Sequence, residues 1–389
     1  MGFYTEPVFF VLAALTAVPA VVLGCMGKSQ RVYGLAVSVL FLVLLFMGGA
    51  VEEALSFAAF IVLSCILQRV VLHLFTRENA HAVALYRCAL VLNILPLFVY
   101  KAVAAGGGSL FGFIGISYLT FKAVQVLIEM RDGLITEMRL LDYLYFMVFF
   151  PTFTSGPILR SRPFVEELRN PPSRAEYLDG LSLGALRLLG GATYKFVFAA
   201  LFSWLSWFMP QVVGYADPLH AAASEVLVAF FYGLYLFFDF AGYSLMAMGL
   251  GAVFGCKVPR NFNMPFMSVD IKEFWNRWHI TLSFWLRDFV FMRFSQACMA
   301  HNVFKSRITT ACLGYIINMT LMGVWHAFSP QCLVYGMYHG LLLAACELFQ
   351  RKTKLYKRHK NDRWFRIVSW AITMVAVFFG FSLFSGQVF

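Results

Sequence analysis

Apolar runs near 20 residues long dominate the chain, and that is the length a helix needs to cross a hydrocarbon core of ~30 Å. They begin at about Pro7, Val32, Val51 and Ala82, and recur at about 176–208, 222–254, 308–327, 332–349 and 365–385. Residues are 60% hydrophobic and 13% charged, against roughly 25% charged in an ordinary soluble domain. The expected fold is an all-α polytopic membrane protein with about eleven spans plus re-entrant and interfacial pieces. It is read as one membrane domain, 1–389, in three sections: 1–105, 106–307 and 308–389.

The net charge of +11 is compatible in sign with nucleic acid, but its distribution argues against that. Basic residues fall between apolar runs, as the positive-inside rule expects of cytoplasmic loops. Lys28 and Arg31 mark the first loop as cytoplasmic. The next loop carries Glu52 and Glu53 and no base, and Arg69, Arg77 and Arg87 flank the third. The N-terminus is therefore expected outside. The densest basic run holds Arg351, Lys352, Lys354, Lys357, Arg358, Lys360, Arg363 and Arg366 with Asp362 as its one acid, which suits a loop facing lipid headgroups. Val22-Leu23-Gly24-Cys25 loosely resembles a lipoprotein cleavage box. No basic region precedes it, so the N-terminal run is read as an uncleaved span. The eight cysteines are scattered singly with no Cys-x-x-Cys, so neither a disulfide framework nor a metal site is expected.

The middle is less regular. Gly106-Gly107-Gly108 breaks the chain after the fourth span. Residues 149–157 (Phe-Phe-Pro-Thr-Phe-Thr-Ser-Gly-Pro) are apolar but punctuated by proline and glycine. That suits a re-entrant or broken segment whose backbone is shielded by protein. Arg160 to Arg174 reads as a cytoplasmic loop with a short helix, and residues 214–218 as an external turn. From Lys257 to Arg307, bases recur among aromatics. Glu273, Arg277, Thr281 and Asp288 fall at helical spacing, and Trp275, Trp278, Leu282, Trp285 and Phe289 take another face. An amphipathic helix at the cytoplasmic interface is predicted. No repeat of the inverted-transporter kind is evident.

Ionisable side chains at membrane depth are costly and need a reason. Of eight histidines, His73, His81, His220, His301 and His359 lie in loops or at span ends. His279, His326 and His339 have apolar or aromatic neighbours. His279 follows Trp278, and 47 positions later His326 follows Trp325. The span holding His326 starts at the basic pair Lys305 and Arg307, so His326 lies towards the outer side, whereas His279 follows Lys272 on the inner side. If the two meet, the 270–300 segment dips into the membrane, and the site is reachable from both faces.

No Gly-x-Ser-x-Gly, phosphate-binding loop or His-Glu-x-x-His occurs. A histidine with little else suits acyl transfer from a thioester. The thiolate leaves readily, so the protein mainly has to deprotonate an accepting hydroxyl and stabilise an oxyanion. Histidine is the natural base because its ordinary pKa lies near 6.5, and neighbouring tryptophans exclude water. Asp239, inside an apolar run, could pair with Arg277 or Arg287, or orient a histidine.

Three pieces together resemble the membrane-bound O-acyltransferase family: Phe238-Asp239-Phe240-Ala241-Gly242-Tyr243-Ser244; Pro259 to Asp288, centred on Glu273-Phe274-Trp275-Asn276-Arg277-Trp278-His279; and Gly323-Val324-Trp325-His326. Within the family, residues 151–157 and 285–293 are similar to the branch that D-alanylates teichoic acids. The resemblance implies a ring of helices around a central tunnel in a bacterial, Gram-positive cell membrane. It implies no permanently bound cofactor. The donor would be a D-alanyl group on the phosphopantetheine thioester of a cytoplasmic carrier protein, and the acceptor an external teichoic or lipoteichoic acid hydroxyl. A small single-span membrane protein is a further implied partner. By the same resemblance His326 is the catalytic histidine and His279 the second one. Val324 and Trp325 would line the tunnel, with Trp278, Asn276, Arg277 and Asp239 positioning substrate. An acetyltransferase of an exported polysaccharide of the alginate kind remains the nearest alternative. A proton-coupled transporter using intramembrane His and Asp is the alternative from another class.

Overall fold

A computed structural model describes residues 2–77, 79–108 and 110–388. Every regular element among them is helical. Two compact units emerge, Met1–Ala192 with Tyr243–Pro259, and Thr193–Gly242 with Arg260–Phe389. The borders expected at residues 105 and 307 do not coincide with this division.

The N-terminal helices are α1 (Pro7–Cys25), α2 (Arg31–Phe46), α3 (Val51–Thr76), α4 (Ala82–Ala105), α5 (Ile116–Arg131), α6 (Leu140–Val148), α7 (Ser161–Arg169) and α8 (Arg174–Thr193). A π-helical turn leads into α9 (Ala200–Val213), and α10 (Pro218–Val253) follows. Then come α11 (Ile271–Arg277), α12 (Ile280–Leu286), α13 (Met292–Ala300), α14 (Arg307–His326), α15 (Pro330–Lys352), α16 (Lys354–His359) and α17 (Arg363–Ser385). The starts read from the apolar runs match these helices to within a few residues. Among the described residues, eight helical stretches are long and apolar enough to cross a membrane, and α2 is apolar but shorter. The helices between α4 and α8 are shorter or more polar. Helix α5 buries Lys122, Gln125 and Glu129, and the nine residues of α6 rise only ~14 Å.

In the first unit, those three polar residues of α5 fall at helical spacing and clamp the irregular segment after α6. The Lys122 ammonium donates to the carbonyls of Phe146 (2.9 Å) and Met147 (3.2 Å). Gln125 Nε2 donates to the Leu159 carbonyl at 2.9 Å, and Ser161 donates to Glu129 at 2.7 Å. Other side chains answer the backbone between. Phe150 N–H donates to Ser38 Oγ (3.3 Å), Tyr4 donates to the Pro151 carbonyl (3.0 Å), and Ser155 N–H donates to the Tyr243 hydroxyl (3.2 Å). Phe149, Phe150 and Phe153 are fully buried. The segment is therefore broken and enclosed, as its prolines and glycine imply. Its non-helical backbone survives because protein groups satisfy it.

Candidate active site

The second unit builds its central feature from the Glu273–His279 stretch. Asp270 caps α11, its Oδ1 accepting from Glu273 N–H at 2.8 Å, and Glu273 Oε2 accepts from Val269 N–H at 2.8 Å. This reciprocal pair fixes where the helix starts. Lys272 is ion-paired with Glu347 on α15, and Gln350 Nε2 donates to Asp270 Oδ2 at 3.0 Å. Helix α11 is thereby tied to α15.

The helix stops after Arg277. The expected single amphipathic helix is instead broken at Trp278–His279, and His279 takes a left-handed conformation (φ 44°, ψ 50°) as the N-cap of α12. The amphipathic pattern runs across this break without marking it, because a neighbouring loop supplies the cause. Asn261 is buried, and its carbonyl accepts from Ile280 N–H at 2.8 Å. Its side-chain oxygen accepts from the Thr281 hydroxyl at 2.5 Å. Asn263 N–H donates to the Arg277 carbonyl at 3.0 Å. These tertiary bonds replace the helical ones that the chain gives up at His279. The aromatic face is as expected: Trp275, Trp278, Leu282, Trp285 and Phe289 are all buried.

The break turns the His279 imidazole into a cavity of about 60 Å³ lined by Leu236, Phe240, Trp275, Trp278, His279, Leu282, His326, Tyr335 and Phe384. His279 is 3% exposed, and its ring lies 4.7 Å from that of Phe240. Its Nδ1 has no hydrogen-bond partner among the described residues. His326 ends α14 and enters from the other side, its ring 4.7 Å from Trp325 and 5.2 Å from Phe384. The approach of the two histidines, posed from topology, is what the structure shows. Trp278 seals one wall, stacked on Phe274 with centroids 5.5 Å apart.

A second cavity, of about 240 Å³, shares Trp275 and Leu282 with the first. Its lining includes Lys272, Asn276, Arg287 and Asn318. Asn276 belongs to this outer space and does not reach the histidines. The other named residues take these places. Arg277 is held by Glu273 (2.6 Å) and by the Asn263 carbonyl (3.3 Å), so it fixes the backbone that bends at His279. Asp239 pairs with Lys195 at 2.5 Å rather than with Arg277 or Arg287, and Arg287 pairs with its own neighbour Asp288 at 2.9 Å. Lys195 sits inside an apolar run, which hid it as a partner. Val324 and Trp325 adjoin His326 on α14, outside the lining of the small histidine cavity. Trp325 packs its ring on that of His326.

Sequence reasoning missed Leu236, Phe240, Tyr335 and Phe384 as lining. With 43 phenylalanines in the chain, no local signal marks Phe240 or Phe384. No group of three or more metal-ligating side chains occurs among the described residues. The arrangement offers two imidazoles in an apolar, aromatic chamber large enough for a small acyl group. Such a chamber can deprotonate a hydroxyl and keep water from an activated ester.

The model of the membrane-bound O-acyltransferase family matches residues 53–388. The chain is 37% identical to a teichoic acid D-alanyltransferase of Bacillus subtilis, covering 99% of this chain and 98% of that protein. It is 37% identical to the corresponding protein of Streptococcus thermophilus, covering 98% and 94%. It is 32% identical to a probable alginate O-acetylase of Pseudomonas syringae, over 70% of this chain and 49% of that one. With a buried histidine and a half-buried one meeting in one chamber and a family match that spans most of its length, this chain belongs to the membrane-bound O-acyltransferase family.

Proposed function

We propose that the protein transfers D-alanyl groups from the phosphopantetheine thioester of a cytoplasmic carrier protein to teichoic acid hydroxyls outside the cell. The observation that carries this reading is the shared chamber of His279 and His326, in a chain similar over nearly its whole length to teichoic acid D-alanyltransferases. The larger cavity against Trp275 and Leu282 supplies a route for a thin, flexible donor arm. His326 takes the proton of the acceptor hydroxyl as its oxygen attacks the thioester carbonyl. The carbon–sulfur bond breaks, and the proton passes to the departing thiolate. His279, buried, holds the opposite wall and orients the reacting groups. The bacterial cell membrane is the setting, with the N-terminus outside by the positive-inside rule. A small single-span membrane protein is the proposed escort of the acceptor.

The alginate-type relatives support acetyl transfer less well, because they match only 70% of the chain. Protein reconstituted in lipid and given a D-alanyl-loaded carrier with teichoic acid should consume the thioester and alanylate the acceptor. His326→Ala should abolish both while the protein stays folded. Full activity in that variant overturns the role of His326, and turnover of an acetylated donor alone overturns the substrate.

A further inference from the structure

Helices α15 and α17 lie side by side, linked where Tyr338 donates to the Ala376 carbonyl at 3.0 Å. Towards the Lys352 end of α15 and the Arg363 end of α17 they part around a cavity of about 510 Å³. Its walls are apolar, with Leu342, Ala345, Phe349, Ile372 and Ala376 in the lining. Its lining also holds Lys360, Arg366, Trp364 and Tyr356. Neither Lys360 nor Arg366 has an ion-pair partner among the described residues.

We propose that this cavity is a binding site for an anionic phospholipid, with an acyl chain between α15 and α17 and the headgroup phosphate held by Lys360 and Arg366. Three observations favour this occupant. From Arg366 to Ala376 the helix rises ~15 Å, half the thickness of a hydrocarbon core, so the groove matches one leaflet. Trp364 and Tyr356 flank the cations as interfacial aromatics do. The run from Arg351 to Arg366 holds eight bases against Asp362, which places it at the inner leaflet, where anionic lipids concentrate positive segments. A free phosphate or nucleotide would have no use for the apolar walls.

The site is not a remote one. Val269, Asp270 and Ile271 are also in its lining, and Asp270 is the cap of α11. Its carboxylate is already engaged by Glu273 N–H and by Gln350 Nε2, so the two free cations decide the charge of the mouth. A lipid seated there supports the start of the helix that leads to Trp278 and His279. The inference needs only that the chain is membrane-embedded, and it stands whether or not the D-alanyl reading does.

The test compares the protein in nanodiscs of phosphatidylcholine with and without phosphatidylglycerol, reading retained lipid by native mass spectrometry and unfolding temperature. Each cation near an anionic surface contributes about fivefold in affinity. Lys360→Gln with Arg366→Gln should therefore lower phosphatidylglycerol retention by roughly tenfold or more and remove its stabilising effect. Ser369→Trp, which fills the groove and keeps both charges, should do the same. Undiminished retention in both variants overturns the site. Loss in the charge variant alone means headgroups adhere to the basic loop without the cavity, which also overturns it. Equal retention of phosphatidylcholine overturns the anionic preference.

Discussion

His279 and His326 face one cavity from opposite backbone devices. His279 sits in a left-handed break between two seven-residue helices, and His326 is the last residue of a 20-residue helix. A short helix that stops and restarts can aim a side chain sideways, out of the register of its neighbours. The end of a long helix gives a fixed point for that side chain to meet.

The backbone at His279 separates its two roles. Histidine and asparagine tolerate the left-handed region better than most residues, and a β-branched residue does not. His279→Asn should keep the unfolding temperature within a few degrees, while turnover of the thioester falls about 100-fold or more through loss of the imidazole. His279→Val should add ~1–2 kcal/mol of strain. Retained turnover in the asparagine variant would assign His279 a purely holding role. Thermal unfolding and initial rates on both variants read the split.

Asn261 holds the restart of the helix through three bonds, to Ile280 N–H, Thr281 N–H and the Thr281 hydroxyl. Asn261→Ala leaves buried donors unanswered, at ~1–3 kcal/mol. The loss should appear in stability and in turnover together, because α12 carries Leu282 of the chamber wall. Asn261→Asp should recover part of both, since it keeps the acceptor. An alanine variant of wild-type stability would show that the loop does not set the break.

What was legible in the sequence follows from the range of each signal. A span of apolar residues is a local property, so the starts at Pro7, Val51, Ala82 and Arg307 read directly. The two tryptophan–histidine pairs read as chemistry because their cost at depth demands a reason. The break at His279 did not read, since Trp275, Trp278, Leu282 and Trp285 keep helical spacing across it and Asn261 imposes it from outside. Lys195 as partner of Asp239 was hidden inside its own apolar run. One missed signal was present, Gly336-x-x-x-Gly340, a small-residue stripe that lets two membrane helices approach closely.

The position of His326 depends on Gly323. A Cβ there would lie 2.2 Å from the Cys332 carbonyl and 3.0 Å from Gly336 Cα, and a Cβ on Gly336 would lie 2.5 Å from the Met319 carbonyl. These neighbours are backbone atoms of the facing helix, so they cannot swing aside, and the helices must separate. Three residues beyond Gly323, α14 ends at His326, and a displacement near 1 Å there is worth ~100-fold in rate. Gly323→Ala should cost ~1–3 kcal/mol by overpacking and lower turnover about 100-fold, with thioester access otherwise intact. Gly190→Ala on α8, where a Cβ meets nothing within 4 Å, should leave turnover unchanged and raise stability by ~0.5–1 kcal/mol. Equal behaviour of the two variants would detach the chamber from the packing of α14 on α15.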